Sequence, residues 1–223
     1  MTSGERSVAR RELLAAGQEA DVFLRPDGLL VKRDRAGRSL EKEARLMSYL
    51  RHHRVPVPRV AEVDGPELVM EYVPGPRMSE ELDARPWRAA ALGRELARVH
   101  RWLDEVPVPD FLPGAAGDGL LHLDLHPGNV VMGPDGPVVI DWAFAVRGDR
   151  RVDVALSWLA MAVSRLRPVR SAARWRLVGS FLREADHSVR EAVAEAAEIR
   201  LSRHARTEEE REAVLTLVSR YTS

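Results

Sequence analysis

The chain has 223 residues, 45% hydrophobic and 30% charged, enough to bury one ordinary core or two small ones and unlike the composition of a disordered chain. Its 34 basic and 34 acidic residues cancel, so there is no global field to gather nucleic acid or an anionic membrane, and neither partner is expected. There is no cysteine, the N-terminus lacks the apolar core of a signal peptide, and the longest apolar run, roughly ten residues at 154–163, falls short of the roughly 20 that a membrane helix needs. The expectation is a cytoplasmic protein without disulfides.

In chain order, residues 13–16, 21–24 and 29–31 read as three strands joined by the turns Gly17-Gln18-Glu19-Ala20 and Pro26-Asp27-Gly28. Lys32 ends the third strand and alternates onto the face of Leu30; it and Lys42 are the only lysines. Ser39 is placed to cap a helix running to about Arg51, with Glu41 and Glu43 near its positive end. Leu40, Met47 and Leu50 form the apolar stripe of that helix. Glu43 falls inside the stripe and should point inward, whereas Glu41 shares a face with Arg45 and Ser48. A buried carboxylate needs a partner, because breaking a buried pair costs on the order of 3–5 kcal/mol. Lys32 is the candidate.

Val55-Pro56-Val57-Pro58 breaks the chain, and residues 59–63 and 67–72 read as two more strands around the Asp64-Gly65 turn. The segment Glu71-Tyr72-Val73-Pro74-Gly75 ends this β-rich region. From Met78 onward the composition is helical. Pro86 suits a helix start, and Ala89, Leu92, Leu96, Val99 and Leu103 make a continuous stripe, with His100 at its border in a structural role. Residues 106–119, rich in proline and glycine, read as a surface loop.

The most informative stretch follows. The runs 130–132 and 138–140 are short and β-branched, and Gly133-Pro134-Asp135-Gly136-Pro137 between them favours reversal, so they should pair as a hairpin centred near Asp135. Asn129 and Asp141 then meet at its open end. An amide oxygen beside a carboxylate is a plausible Mg²⁺ site, and the incoming segment His122-Leu123-Asp124-Leu125-His126 adds Asp124. Two readings compete. If the segment is extended, His122, Asp124 and His126 face one side and could hold zinc or manganese in a hydrolase. Alternatively Asp124 orients and deprotonates an acceptor hydroxyl while Asn129 and Asp141 hold Mg²⁺ on a nucleotide. Pro127-Gly128 interrupts a strand, and the hydrolase reading leaves Asn129, Asp141, Lys32 and Glu43 without a role.

Asp124 and Asn129 separated by four residues, followed by Asp141 after a hairpin, resemble the catalytic loop and metal-binding aspartate of the protein-kinase-like superfamily. HLDLHPGNVV followed by IDWAF is most similar to the aminoglycoside phosphotransferase, or choline kinase-like, family. The resemblance implies an α+β, two-lobed protein-kinase-like fold. A small antiparallel β lobe with one helix spans residues 1–77, and a mainly helical lobe spans 78–223. It implies ATP and Mg²⁺ as cofactors and a hydroxyl of a small metabolite or antibiotic as acceptor. Asp124 would be the catalytic base, Asn129 and Asp141 the metal ligands, and Lys32, fixed by Glu43, the phosphate-binding cation. Gly17 would lie in the phosphate-covering turn, with one glycine where protein kinases have G-x-G-x-x-G. The backbones of Glu71 and Val73 would meet the adenine edge. His122 would bond the segment after Asp141, and Asp153 would brace the catalytic loop. Leu123 replaces the arginine of the protein-kinase H-R-D loop and Ala143 the glycine of D-F-G, so activation-loop phosphorylation is not expected. A Ser/Thr protein kinase and an inactive nucleotide-binding protein remain the alternatives.

The remainder reads as four helices at 152–165, 171–185, 188–203 and 207–221, with Thr207 and Glu210 spaced as a capping box. From Val146 onward 15 arginines face 11 acidic residues, which supplies no acidic trough for a polycationic acceptor.

Overall fold

A short chain with strand-length runs in its first third and amphipathic stripes thereafter must bury two kinds of face, and it does so in two compact units, Met1–Val73 and Pro74–Ser223. The computed structural model describes residues 11–17, 19–114, 117–163, 168–185, 189–204 and 207–222. Gln18 of the expected first turn, and the ends at Arg165 and Ser188 of two expected helices, lie outside those residues.

The first unit is one antiparallel sheet with a helix. Strands β1 (Glu12–Ala16), β2 (Ala20–Leu24) and β3 (Leu29–Asp34) form the expected meander. After helix α1 (Glu41–His52), β4 (Val60–Asp64) and β5 (Glu67–Glu71) return as a hairpin, giving the order β1-β2-β3-β5-β4. Register sets Lys32 opposite Leu68 and Val31 opposite Val69. Val31, Leu68, Leu46, Met47 and Leu50 are at most 1% exposed and form the core, each contributing about 1.5–3 kcal/mol by burial. The helix starts one residue later than Ser39 implies. Leu40 occupies the cap position because its N–H is drawn to the Gly65 carbonyl (2.8 Å), and Ser39 Oγ accepts the Glu41 N–H instead (3.2 Å).

The second unit begins with helix α2 (Met78–Ala84) and a 3₁₀ turn from Pro86 to Arg88, so the α-helix that Pro86 signals, α3 (Ala89–Asp104), starts at Ala89. Its stripe of Ala89, Leu92, Leu96, Val99 and Leu103 is buried, as its periodicity requires. The loop that follows is pinned rather than loose, since Val106 and Leu112 are buried. Strands β6 (Gly119–Leu121) and β9 (Val146–Gly148) pair with each other, as do β7 (Val130–Gly133) and β8 (Gly136–Val139). Helices α4 (Arg150–Val163), α5 (Pro168–Glu184), α6 (Val189–Ile199) and α7 (Glu208–Thr222) complete the unit, with a π-helical turn at Arg200–His204 between the last two. Helix α3 packs on α5 and α4 on α6, around Trp142, Trp158 and Phe181. Among the described residues no helix is long and apolar enough to cross a membrane.

Close passage of α3 over α5 depends on Gly93, where an added Cβ would overlap Ser180 Oγ and the Leu177 carbonyl. Gly93→Ala should therefore destabilise the protein despite alanine's better helix propensity, by about 2 kcal/mol. Thermal unfolding followed by circular dichroism should fall by roughly 4–8 °C.

Candidate functional site

In the first unit the inward phase of Glu43 is realised. Glu43 is 3% exposed, Glu41 is exposed, and Lys32 Nζ donates to both Glu43 oxygens at 2.8 and 2.9 Å. Strand β3 sets the lysine and helix α1 the glutamate, and each removes the desolvation cost that the other would carry alone. Gly17 closes its turn by donating its N–H to the Ala20 carbonyl (2.9 Å), and any Cβ there would crowd that same carbonyl. Glu71 ends β5 doubly tied to Arg59, its N–H donating to the Arg59 carbonyl (2.9 Å) and its carboxylate accepting the Arg59 N–H (3.0 Å). Val73 is partly buried at the end of the unit.

In the second unit the site is built on a kink. Leu123 adopts φ 65°, a left-handed conformation that a leucine takes only when held. The hold comes from α4: Asp153, 2% exposed, accepts the His122 N–H (3.1 Å) and the Leu123 N–H (2.7 Å) on its two oxygens. His100 supports the same point, with Nδ1 3.8 Å from Asp153 and Nε2 2.9 Å from Ser157 Oγ, which in turn donates to the Leu125 carbonyl.

This kink rules out the one-sided array of His122, Asp124 and His126 that the rival hydrolase reading required of an extended segment. His122 is 0% exposed and stacked on Trp142 (4.6 Å between centroids). Burial pushes its imidazole below the ordinary histidine range, which outweighs the opposing bond to Ile140, so the ring is neutral. Its Nε2–H donates to the Ile140 carbonyl (3.1 Å) and its Nδ1 accepts the Asp124 N–H (3.3 Å). Its partner therefore precedes Asp141 instead of following it, because Ile140, the residue just past β8, offers its carbonyl to the ring. His126 is turned from His122 but stays near Asp124, its Nδ1 accepting the Gly128 N–H (3.0 Å). Among the described residues no group of three or more His, Cys, Asp or Glu side chains is arranged to hold a metal.

The hairpin forms one residue out of the expected register: Val130 stands opposite Val139 and Val131 opposite Val138, with Pro134-Asp135 at the turn, so Asn129 faces Ile140 rather than Asp141. At its open end Ile140 N–H donates to the Asn129 carbonyl (3.0 Å), so Asp141 is the next residue along, exposed and at φ 67°. Asn129 is 7% exposed, and its Nδ2 donates to the Asp124 carbonyl (2.9 Å) and to Asp124 Oδ2 (3.3 Å). That bonding fixes the amide flip and turns Asn129 Oδ1 away from the Asp124 carboxylate, as an oxygen ligand would need. Asp124, with 18% of its side chain exposed, also has His126 Nε2 at 3.7 Å and Arg200 Nη1 at 4.0 Å from Oδ1. Arg200 lies in the π-helical turn and was not singled out by the sequence, where it is one of 15 arginines in a helical region. A separate cavity of 590 Å³, lined by Trp175, Glu212, Thr216 and Arg220 among others, contains none of these residues.

Asp153 is where pH should act on the fold. Burial raises its carboxyl to about 6, against 3.8 ordinarily, and outweighs the two N–H bonds that favour the charge. A folded-state value above the unfolded one means stability from this group is full below about 4 and is lost as pH rises through about 6, an effect of roughly 3 kcal/mol. Urea titrations should therefore show the stability of the wild type relative to Asp153→Asn increasing as pH falls from 7 to 4. A constant difference would show that Asp153 does not titrate in that window.

The sequence model of the phosphotransferase enzyme family matches residues 10–118 and 108–195. The fold is shared with the streptomycin–ATP–APH(2'')-IIa ternary complex at TM-score 0.66 and 16% identity, covering 96% of this chain and 91% of that one. It is also shared with an ethanolamine kinase of Plasmodium vivax at TM-score 0.58 and 10% identity, covering 96% and 81%. A serine/threonine-protein kinase of Streptomyces coelicolor, AfsK, is 38% identical over 80 residues, which is 36% of this chain and only 9% of that protein's length.

Proposed function

The chain belongs to the phosphotransferase enzyme family, and we propose that it transfers the γ-phosphate of ATP to a hydroxyl group of a small molecule. The observation that supports this reading is the pair of hydrogen bonds from Asn129 Nδ2 to the main-chain carbonyl and the carboxylate of Asp124, which holds the base and the oxygen ligand of this reading together on one loop. Phosphoryl transfer is chiefly positioning and charge stabilisation, so it needs such a constellation in place of a protein nucleophile.

In this reading Asp124 accepts a hydrogen bond from the acceptor hydroxyl and takes its proton as that oxygen bonds to the γ-phosphorus. Asn129 holds the carboxylate in one orientation. Lys32, locked by Glu43, binds phosphate, Gly17 lets its turn approach phosphate, and the backbones of Glu71 and Val73 meet the adenine edge. Asn129 Oδ1 and the Asp141 carboxylate are the residues suited to Mg²⁺, which when bound neutralises phosphate charge. Support for the metal comes from the fixed flip of Asn129 and from the exposed, positive-φ placement of Asp141 at the hairpin end. A small-molecule acceptor is preferred over a protein because Leu123 stands where protein kinases carry the arginine that reads activation-loop phosphate. The similarity to AfsK keeps protein phosphorylation as the competing outcome.

Asp124→Ala should reduce transfer about 10²- to 10⁴-fold, the usual contribution of a positioned base, while nucleotide affinity measured by calorimetry persists. Asp141→Ala should weaken Mg·ATP binding about 10- to 100-fold, as expected for losing a charged contact. Near-normal turnover by Asp124→Ala, or label from γ-labelled ATP appearing in added protein, would contradict the proposal.

A further inference from the structure

The chemistry of the acceptor is written in the groups around Asp124 Oδ1, the oxygen not bonded to Asn129. Two donors stand near it. His126 Nδ1 accepts the Gly128 N–H, so the neutral ring carries its proton on Nε2, the atom 3.7 Å from Oδ1. Arg200 Nη1 is 4.0 Å from the same oxygen. Both stand beyond hydrogen-bond length from it.

Arg200 is prepared for this position rather than resting in it by chance. Its side chain is only 13% exposed, Glu210 of α7 holds its Nη2 at 2.5 Å, and its Nε is buried with no hydrogen-bond partner among the described residues. Glu210 is itself set by the start of α7, where its N–H donates to Thr207 Oγ1 (3.2 Å). A guanidinium fixed by one edge keeps its other nitrogens oriented, and a buried N–H without an acceptor calls for one. The same π-helical turn carries Arg203, which lies 6.0 Å from the ring centre of Phe144, three residues past Asp141. Turns of this kind are frequent at functional sites. One turn thus supplies a guanidinium to the Asp124 loop and another to the segment after Asp141.

We propose that the acceptor is a hydroxylated small molecule bearing an oxyanion, a carboxylate or a phosphate ester, beside its reactive hydroxyl, and that Arg200, seconded by Arg203, binds that oxyanion. The proposal rests on the reading of Asp124 as the base. The hydroxyl oxygen bonds to the γ-phosphorus as the bond to the β,γ-bridging oxygen breaks. ADP leaves with that electron pair, and the hydroxyl proton passes to Asp124. An ammonium beside the hydroxyl would be forced against a guanidinium, whereas an oxyanion gains charge-assisted, fork-shaped hydrogen bonds.

The test is steady-state transfer from ATP to three sets of probes: glycerate as the hydroxycarboxylate, glycerol 3-phosphate as the phosphate ester, and choline with kanamycin as the cations. Turnover of either anion is expected, and which one reacts identifies the oxyanion. Arg200→Ala should raise the KM for that anion about 10- to 100-fold, the loss of one or two charge-assisted bonds, with the KM for ATP within about twofold. Arg200→Lys, keeping charge but losing the fork, should lie between. If Arg200→Ala does not melt cooperatively, Arg200→Lys and Arg203→Ala carry the same KM comparison. Transfer to the cations alone would overturn the proposal, as would an acceptor KM that no arginine variant changes. A fall in kcat that is equal for all acceptors would also overturn it, by placing Arg200 on the transferring phosphoryl group. Should no probe of either charge be phosphorylated, the proposal fails; ATP consumption unchanged in Asp124→Asn would be the separate sign that the base is misassigned.

Discussion

Two hydrogen bonds into a buried carboxylate hold the second unit's chemistry in place. Leu123 adopts a left-handed conformation that costs a non-glycine residue roughly 1–2 kcal/mol, and Asp153 offsets it by accepting the N–H groups of His122 and Leu123. From that kink the rest follows. His122 turns into the core and ties the loop to the end of β8, and Asp124 swings to where the Asn129 amide meets both its main chain and its carboxylate. A straight segment would have put His122, Asp124 and His126 on one face and suited a different metal and a different reaction.

Buried charge is handled the same way in the first unit. Lys32 and Glu43 are almost fully removed from water, and both glutamate oxygens are engaged by the one ammonium. Such a pair adds little to stability compared with apolar packing, but it fixes the lysine's direction, which a solvated lysine with four rotatable bonds would not keep. Direction is what the proposed phosphate binding asks of it.

The sequence carried the first unit well because its signals are local: alternation in the strands, a stripe in α1, and a glutamate whose helical phase turned it inward. The existence of the hairpin was equally legible from Gly133 to Pro137, but its register was not: the turn closes at Pro134-Asp135, one residue tighter than a hairpin centred on Asp135. The other failures share a cause. The Leu123 kink is imposed by Asp153, 30 residues away, so alternation misread the histidines. The placement of Arg200 depends on a π-helical turn and on Glu210, neither of which has a periodic signature; the Thr207 capping pattern located the start of α7 but not what its glutamate would hold. Ser39 lost its cap because Leu40 bonds the Gly65 carbonyl, another long-range contact.

In the proposed reading the Asp124 loop sets the reaction, and the α6–α7 corner, with Arg200 near Asp124 and Arg203 near Phe144, sets the acceptor. The most direct measurement is mass-spectrometric analysis of an acceptor mixture after incubation with the protein, Mg²⁺ and ATP, with ADP quantified in parallel. The account predicts one acceptor gaining a single phosphoryl group in equal amount to the ADP formed. ADP formed without a phosphorylated small molecule, or phosphate found only on protein, would contradict it.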